Sequence, residues 1–273
     1  MLVITAKKKT IKCLTNLFNQ KYSENIKFKV FLVDDKSRDG TKKAVQNLFP
    51  LVKIINGNGN LFWTGGMRLA WKKALKDKKK YDYFILLNDD VFLFNKALNI
   101  ISKTIYNINN TEKSKEFIIS FPTCSKNKKR TTGGLNVIDN IFSFKFVPAK
   151  VTKKTKLIKC DTFNGNCVLI PNAVVKKVGI LDKYYRHRFA DHDYGLNAAS
   201  KKIKIFFFNN YIGICELKSR SENKSVNKSI NKRYKYKEYK EWFYFLKKNS
   251  SHWIINYIKF SLSIIFSNIF KIK

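Results

Sequence analysis

Short apolar runs alternate with helical stretches through the first 90 residues, and this alternation leaves few folds open. Residues 2–5, 28–33, 52–55 and 83–87 read as strands. Between them, residues 10–19 carry Ile11, Leu14, Leu17 and Phe18 at helical spacing. Residues 41–49 put Ala44, Val45 and Leu48 on one face, and residues 67–75 read as a third helix. Near-continuous apolar strands interleaved with such helices predict an α/β fold, a mostly parallel central sheet flanked by helices. Ligands of such sheets bind beyond the carboxyl ends of the strands.

Polar groups gather at those ends. The second strand runs into Asp34-Asp35-Lys36-Ser37-Arg38-Asp39-Gly40-Thr41, where Asp39-Gly40 signals a turn and Thr41 is placed to cap the next helix. The third runs into Asn56-Gly57-Asn58-Gly59-Asn60, and Trp63-Thr64-Gly65-Gly66 opens the third helix. Glycines ahead of a helix let backbone N–H groups approach a phosphate. The fourth, Tyr83–Leu87, delivers Asn88, Asp89 and Asp90 to one point. Carboxylates closing a buried strand are costly unless paired. A hard metal ion, which commonly brings phosphates, is the natural guest, and a plain turn is the alternative. Further on, residues 126–130 form a basic loop, and Asp161-Thr162-Phe163-Asn164-Gly165-Asn166 feeds a buried strand stopped by Pro171. Asp191 and Asp193 follow, too close to share a helix face. One can cap a helix while the other points into a cleft, or both are exposed helix-start acids.

Charge is the odd feature of the composition: 55 Lys and Arg against 19 Asp and Glu give +36 over 273 residues. Such an excess suits an anionic partner, whether nucleic acid, membrane or phosphorylated substrate. A Lys-, Asn-, Ile- and Phe-rich composition of the kind AT-rich coding sequence produces accounts for a share of it. Five scattered cysteines with no Cys-x-x-Cys pair, beside three His, argue against structural zinc and for a reducing compartment. Charge arrives too early after Met1 for a signal peptide, so a cytoplasmic location is expected.

In this order the segments resemble glycosyltransferase family 2, with the GT-A nucleotide-sugar-binding fold, and within it the bacterial branch that builds surface polysaccharides, rhamnosyltransferase-like members included. The resemblance rests on residues 33–41, 57–71, 86–91, 164–171, 178–182 and 190–198. It implies an inverting glycosyltransferase that moves a sugar from a nucleotide-diphosphate donor to a glycan or lipid-linked acceptor. Asp34 matches the acid that contacts the nucleotide base. Thr5, Gly65, Gly66, Asn88 and Asp89 fall on the nucleotide-sugar side. Asp90 matches the ligand of a divalent metal, Mn2+ or Mg2+, and Asp191 the catalytic base, with Asn164 and Asp193 on the acceptor side. Ala190 stands where the family has Glu, and Asn88 where it has the first Asp of its D-x-D motif.

The implied organisation is a catalytic domain over residues 1–218, with a nucleotide-sugar half (1–115) and an acceptor half (116–218), then a basic linker and amphipathic helical region over 219–273. In that last region Asn256, Lys259, Ser263, Ser267 and Lys271 line one stripe, with Ile254, Ile258, Leu262, Ile265 and Ile269 opposite. The polar stripe argues against a spanning helix. Two roles are open: lying on an anionic membrane surface, peripheral to the inner face of the cell membrane, or packing on protein, in this chain or in a homo-oligomer. Two other function classes compete, a non-catalytic sugar-nucleotide binder and a basic nucleic-acid-binding protein. Nothing in the chain matches a nucleic-acid-binding module, so no specific nucleic acid is expected.

Overall fold

The computed structural model describes residues 2–3, 7–21, 26–112, 115–152, 155–186, 188–216 and 228–269. The first half follows the expected alternation: β1 (Leu2–Val3), α1 (Lys7–Phe18), β2 (Phe31–Asp34), α2 (Thr41–Leu48), β3 (Lys53–Asn56), α3 (Phe62–Leu75) and β4 (Tyr83–Leu87). β1, β2 and β3 are parallel neighbours. The chain continues through β5 (Phe92–Leu93), α4 (Ala97–Thr111), β6 (Phe117–Ser120) and β7 (Thr123–Cys124). A side sheet of β8 (Gly134–Asp139), β9 (Phe144–Pro148) and β11 (Thr162–Phe163) brackets β10 (Leu157–Lys159) in sequence. Then come β12 (Cys167–Pro171), α5 (Asn172–Val178), α6 (Ala190–Ser200), β13 (Lys204–Phe208) and β14 (Gly213–Ile214). Helices α7 (Lys228–Asn249) and α8 (Trp253–Ile269) end the described chain.

The five-stranded sheet has the order β10-β13-β6-β12-β4. β13 and β6 are parallel, while β12 runs antiparallel to both β6 and β4, and β10 antiparallel to β13. β12 enters from the side sheet rather than from a helical crossover, which is what lets it reverse.

Alternate residues of each strand feed opposite cores. Ile118, Val168, Ile170, Ile205 and Phe207 face the core built with α3, α5, α6 and α7. Phe117, Ile119, Cys167, Leu169 and Phe208 face the core built with α1, α2 and α4. Burial on both faces explains why these strands read as unbroken apolar runs. α7 belongs to this packing: Phe245 and Leu246 are fully buried in the first core.

Candidate active site

The pairing of β4 with β12 assembles the site. Leu87 lies opposite Cys167, and one step on the Asn88 N–H donates to the Asn166 carbonyl at 3.0 Å. Asn88-Asp89-Asp90 therefore meets the Asn164-Gly165-Asn166 turn at the strand ends. The Gly165 N–H donates in turn to Asp191 Oδ2 at 2.7 Å, in the first turn of α6. Trp63, in the first turn of α3, closes the group: its Nε1 donates to Asn88 Oδ1 at 2.8 Å. The indole crowds Gly165, where a Cβ would lie 2.7 Å from the ring and 3.1 Å from the Asp191 Cβ, so only glycine fits.

Asp89 and Asp90 are partly buried neighbours. Burial first, and the Asp90 charge second, push the Asp89 carboxyl up to about 6, against the 3.1 Å hydrogen bond that Thr10 Oγ1 donates to it. Asp90 Oδ1 lies 3.7 Å from the Cys215 thiol, which also accepts from Asn166 Nδ2 at 3.4 Å. Burial, with Asp90 beside it, lifts that thiol to about 12. Among the described residues neither carboxylate has a cationic partner. Two crowded carboxylates without a counter-charge fit a hard divalent cation. Among the described residues no group of three or more His, Cys, Asp or Glu is placed to hold a metal ion.

Asp34 ends β2, 5% exposed, and its Oδ1 accepts the Ser37 N–H at 3.2 Å. Asp35, passed over in the sequence, holds the following loop: its two oxygens accept the Gly59 and Leu61 N–H groups at 2.6 and 2.9 Å. Two local expectations change. Thr41 does not cap α2; Gly40 takes the N-cap position with φ 77°, and Asp39 Oδ1 accepts the Thr41 N–H at 3.1 Å. α3 begins at Phe62, not at Met67, because Leu61 is anchored by Asp35 and its carbonyl already accepts the Gly65 N–H at 3.1 Å. Gly65 and Gly66 thus lie inside the first turn, and Trp63 ties that turn to Asn88. Thr5 lies outside the described residues.

On the far rim, Asp191 Oδ1 accepts the His192 N–H at 3.0 Å and faces His192 Nδ1 at 3.1 Å. Burial pushes the Asp191 carboxyl up, but the His192 charge and hydrogen bonds from His192 and Gly165 outweigh it and hold the group below the usual carboxylate range. For His192, burial lowers its affinity for the proton, and Asp191 more than restores it. Asn164 backs this rim: its Oδ1 accepts the Gly133 N–H at 3.3 Å and its own N–H donates to the Gly133 carbonyl at 3.0 Å.

Asp193 is not brought to the cleft with Asp191. It is 1% exposed and turned into the α6–α7 interface. There it accepts Lys248 Nζ at 2.7 Å, Asn249 Nδ2 at 2.9 Å and the Tyr185 hydroxyl at 3.1 Å. The reason is the helical 200° between positions two apart. Asp191 faces Gly165, so Asp193 must face α7. Trp63, His192 and Cys215 were missed as site residues. Only Trp63 left a signal, as a large aromatic directly before Thr64-Gly65-Gly66.

A central sheet flanked by helices on both faces is the architecture of the GT-A fold. The sequence profile of glycosyl transferase family 2 matches residues 3–155, more than half of the chain, and the chain belongs to that family. No curated protein matches the chain in sequence. Among solved structures, TarS of S. aureus is similar over 92% of this chain and 39% of its own, with 12% identity and a TM-score of 0.61. GalNAc-T7, solved with UDP, GalNAc and Mn2+, is similar over 76% of this chain and 42% of its own, at 12% identity and a TM-score of 0.56. The mannosyltransferase PcManGT from Pyrobaculum calidifontis, in complex with GDP-Man and Mn2+, is similar over 90% of this chain and 62% of its own, at 11% identity and a TM-score of 0.51. The chain thus spans less than two thirds of each of these proteins.

Proposed function

We propose that this chain transfers a sugar from a nucleotide-diphosphate donor to a hydroxyl of a cell-surface glycan or its lipid-linked precursor, inverting the anomeric configuration. One observation carries the reading. The Asn88-Asp89-Asp90 cluster and Asp191 are joined across the strand ends by the two consecutive residues Gly165 and Asn166. Donor-side and acceptor-side carboxylates thereby share one rim.

Asp34 and the loop clamped by Asp35 take the nucleoside. The first turn of α3, with Gly65 and Gly66, takes the diphosphate, and Asn88, held by Trp63, orients the sugar side. Asp90, with Asp89 beside it, would hold a divalent cation, as the Mn2+ in the GalNAc-T7 and PcManGT structures supports. Such a cation supplies Lewis-acid stabilisation of the diphosphate leaving group. Asp191, kept ionised by His192 and Gly165, accepts the proton of the acceptor hydroxyl as that oxygen attacks the anomeric carbon. The bond to the diphosphate breaks on the opposite face, so a single displacement inverts the centre.

The test is a screen of UDP-, dTDP- and GDP-sugars for binding and for turnover with and without Mn2+. A glycosyltransferase consumes at least one donor in a metal-dependent manner. Binding with no turnover, by water or by any glycan acceptor, contradicts the reading and leaves a sugar-nucleotide binder.

A further inference from the structure

Helix α8 turns two polar side chains toward the protein it packs on, Asn256 and Lys259. Asn256, 5% exposed, donates Nδ2 to Asp139 Oδ1 at 3.4 Å and to the Asn140 carbonyl at 3.3 Å. Lys259 Nζ reaches the Ile141 and Phe142 carbonyls at 3.0 and 3.4 Å. At the turn from α7, Ser250 Oγ and the Ser251 N–H each donate to Asp139 at 2.7 Å. Its aromatic rings Trp253, Tyr257 and Phe260 pack on α7, and the aliphatic residues face out: Ile254 is 55% exposed, Ile258 52%, Leu262 46% and Ile255 37%. Spaced by one, four and eight residues, these positions fall within about a third of the helix circumference. Beside them, the β8–β9 tip held by Lys259 exposes Phe142 at 78% and Ile141 at 47%. A cluster of this kind on a protein surface marks an interaction site.

Charge selects the occupant. Residues 228–269 carry nine Lys or Arg against two Glu. Two lysines flank the apolar ridge itself: Lys247 Nζ lies 5.9 Å from the Trp253 ring, and Lys259 Nζ 5.2 Å from the Phe142 ring. A second copy would bring the same positive charge to the same ridge, whereas an anionic bilayer brings the opposite charge and an apolar interior. Among the described residues no helix is long and apolar enough to cross a membrane. A helix with an apolar face and flanking lysines lies in the interface plane instead.

We propose that the outer face of α8 and the β8–β9 tip form the docking surface for an anionic lipid bilayer. Contacting rings run inward from it. Phe260 meets Trp242, Trp242 meets Phe245, Phe245 meets Phe146, and Phe146 meets His192 with centroids 4.4 Å apart. His192 holds Asp191. The ring stack thus joins α8 to the His192–Asp191 pair through the core, a link that bears on turnover only if Asp191 is the base.

Flotation of the full chain with phosphatidylglycerol-containing and pure phosphatidylcholine vesicles tests the docking surface and needs no donor, so it is independent of catalysis. The chain should float with the anionic vesicles, less so at high salt. Ile258→Glu combined with Leu262→Glu, both at exposed positions, should cut the vesicle affinity by roughly tenfold or more with an unchanged thermal melt. Phe142→Glu should weaken it in the same direction. The proposal fails if the wild-type chain does not float with anionic vesicles, or if the double variant floats as well as wild type. It also fails if the wild-type chain is a dimer in solution that the double variant converts to monomer, since the face then belongs to a second copy.

Discussion

Two carboxylates two residues apart on α6 have different fates, and each supports its own prediction. Asp191 meets Gly165 on the cleft rim, so Asp191→Asn should bind donor normally and lose turnover by ~10²–10⁴. A variant that keeps wild-type turnover removes Asp191 as the base. Asp193 meets Lys248, Asn249 and Tyr185 instead. Asp193→Ala strands these groups, and because the Lys248 side chain is 32% exposed the cost falls below that of a fully buried pair, roughly 2–3 kcal/mol. Urea melts should show that loss while donor affinity stays unchanged. The pH profile follows from the direction of the Asp191 shift. A base held below the usual carboxylate range is active above its pKa and is lost only as pH falls through that lowered value. His192→Ala removes the favourable charge and hydrogen bond, so the acid limb of the rate profile should move to higher pH. An unmoved limb means that another group titrates there. At this scale the sequence was only partly legible. Asp191 stood out through family resemblance, whereas the partners that remove Asp193 from the cleft lie 55 and 56 residues further along the chain.

Elements fixed by local periodicity were legible, and those fixed by tertiary contacts were not. β4 was read at its observed limits, Tyr83–Leu87, because both of its faces are apolar and a polar cluster ends it. α4 carries its own signal, with Leu98, Ile101, Ile105 and Ile108 at helical spacing. The start of α3 depends on Asp35, 26 residues before Leu61, and no local signal shows that. The same contact gives a prediction. Asp35→Ala leaves the N–H groups of exposed Gly59 and half-buried Leu61 without their buried acceptor, and water can replace part of that acceptor, so the loss is roughly 1–2 kcal/mol. Donor affinity should fall with stability, because the loop it clamps leads into α3. A variant that melts like wild type and binds donor as well shows that the loop holds itself. α8 makes the converse point. The amphipathic stripe was plain in the sequence, but a stripe does not say which side faces the protein, and here Asn256 and Lys259 do.

Over the whole molecule, the +36 charge is the property that composition states most loudly and structure constrains least. Arg130, in the basic loop read as residues 126–130, turns inward: Nη1 donates to the Ala149 carbonyl at 2.7 Å, and the guanidinium stacks on Phe207. The alternating strand faces, with one core on each side, were legible as α/β layering. The antiparallel entry of β12 was not, yet that reversal is what brings Gly165 and Asn166 to Asn88. If this meeting point is a cation-assisted donor site facing a base, calorimetric titration of UDP, dTDP and GDP into wild-type protein and Asp90→Ala, with and without Mn2+, will show it. At least one nucleoside diphosphate should bind wild type far more tightly with Mn2+, and Asp90→Ala should lose this metal dependence while melting like wild type. Equal affinity with and without Mn2+ in wild type, or unchanged metal-dependent binding in Asp90→Ala, would contradict this reading of the site.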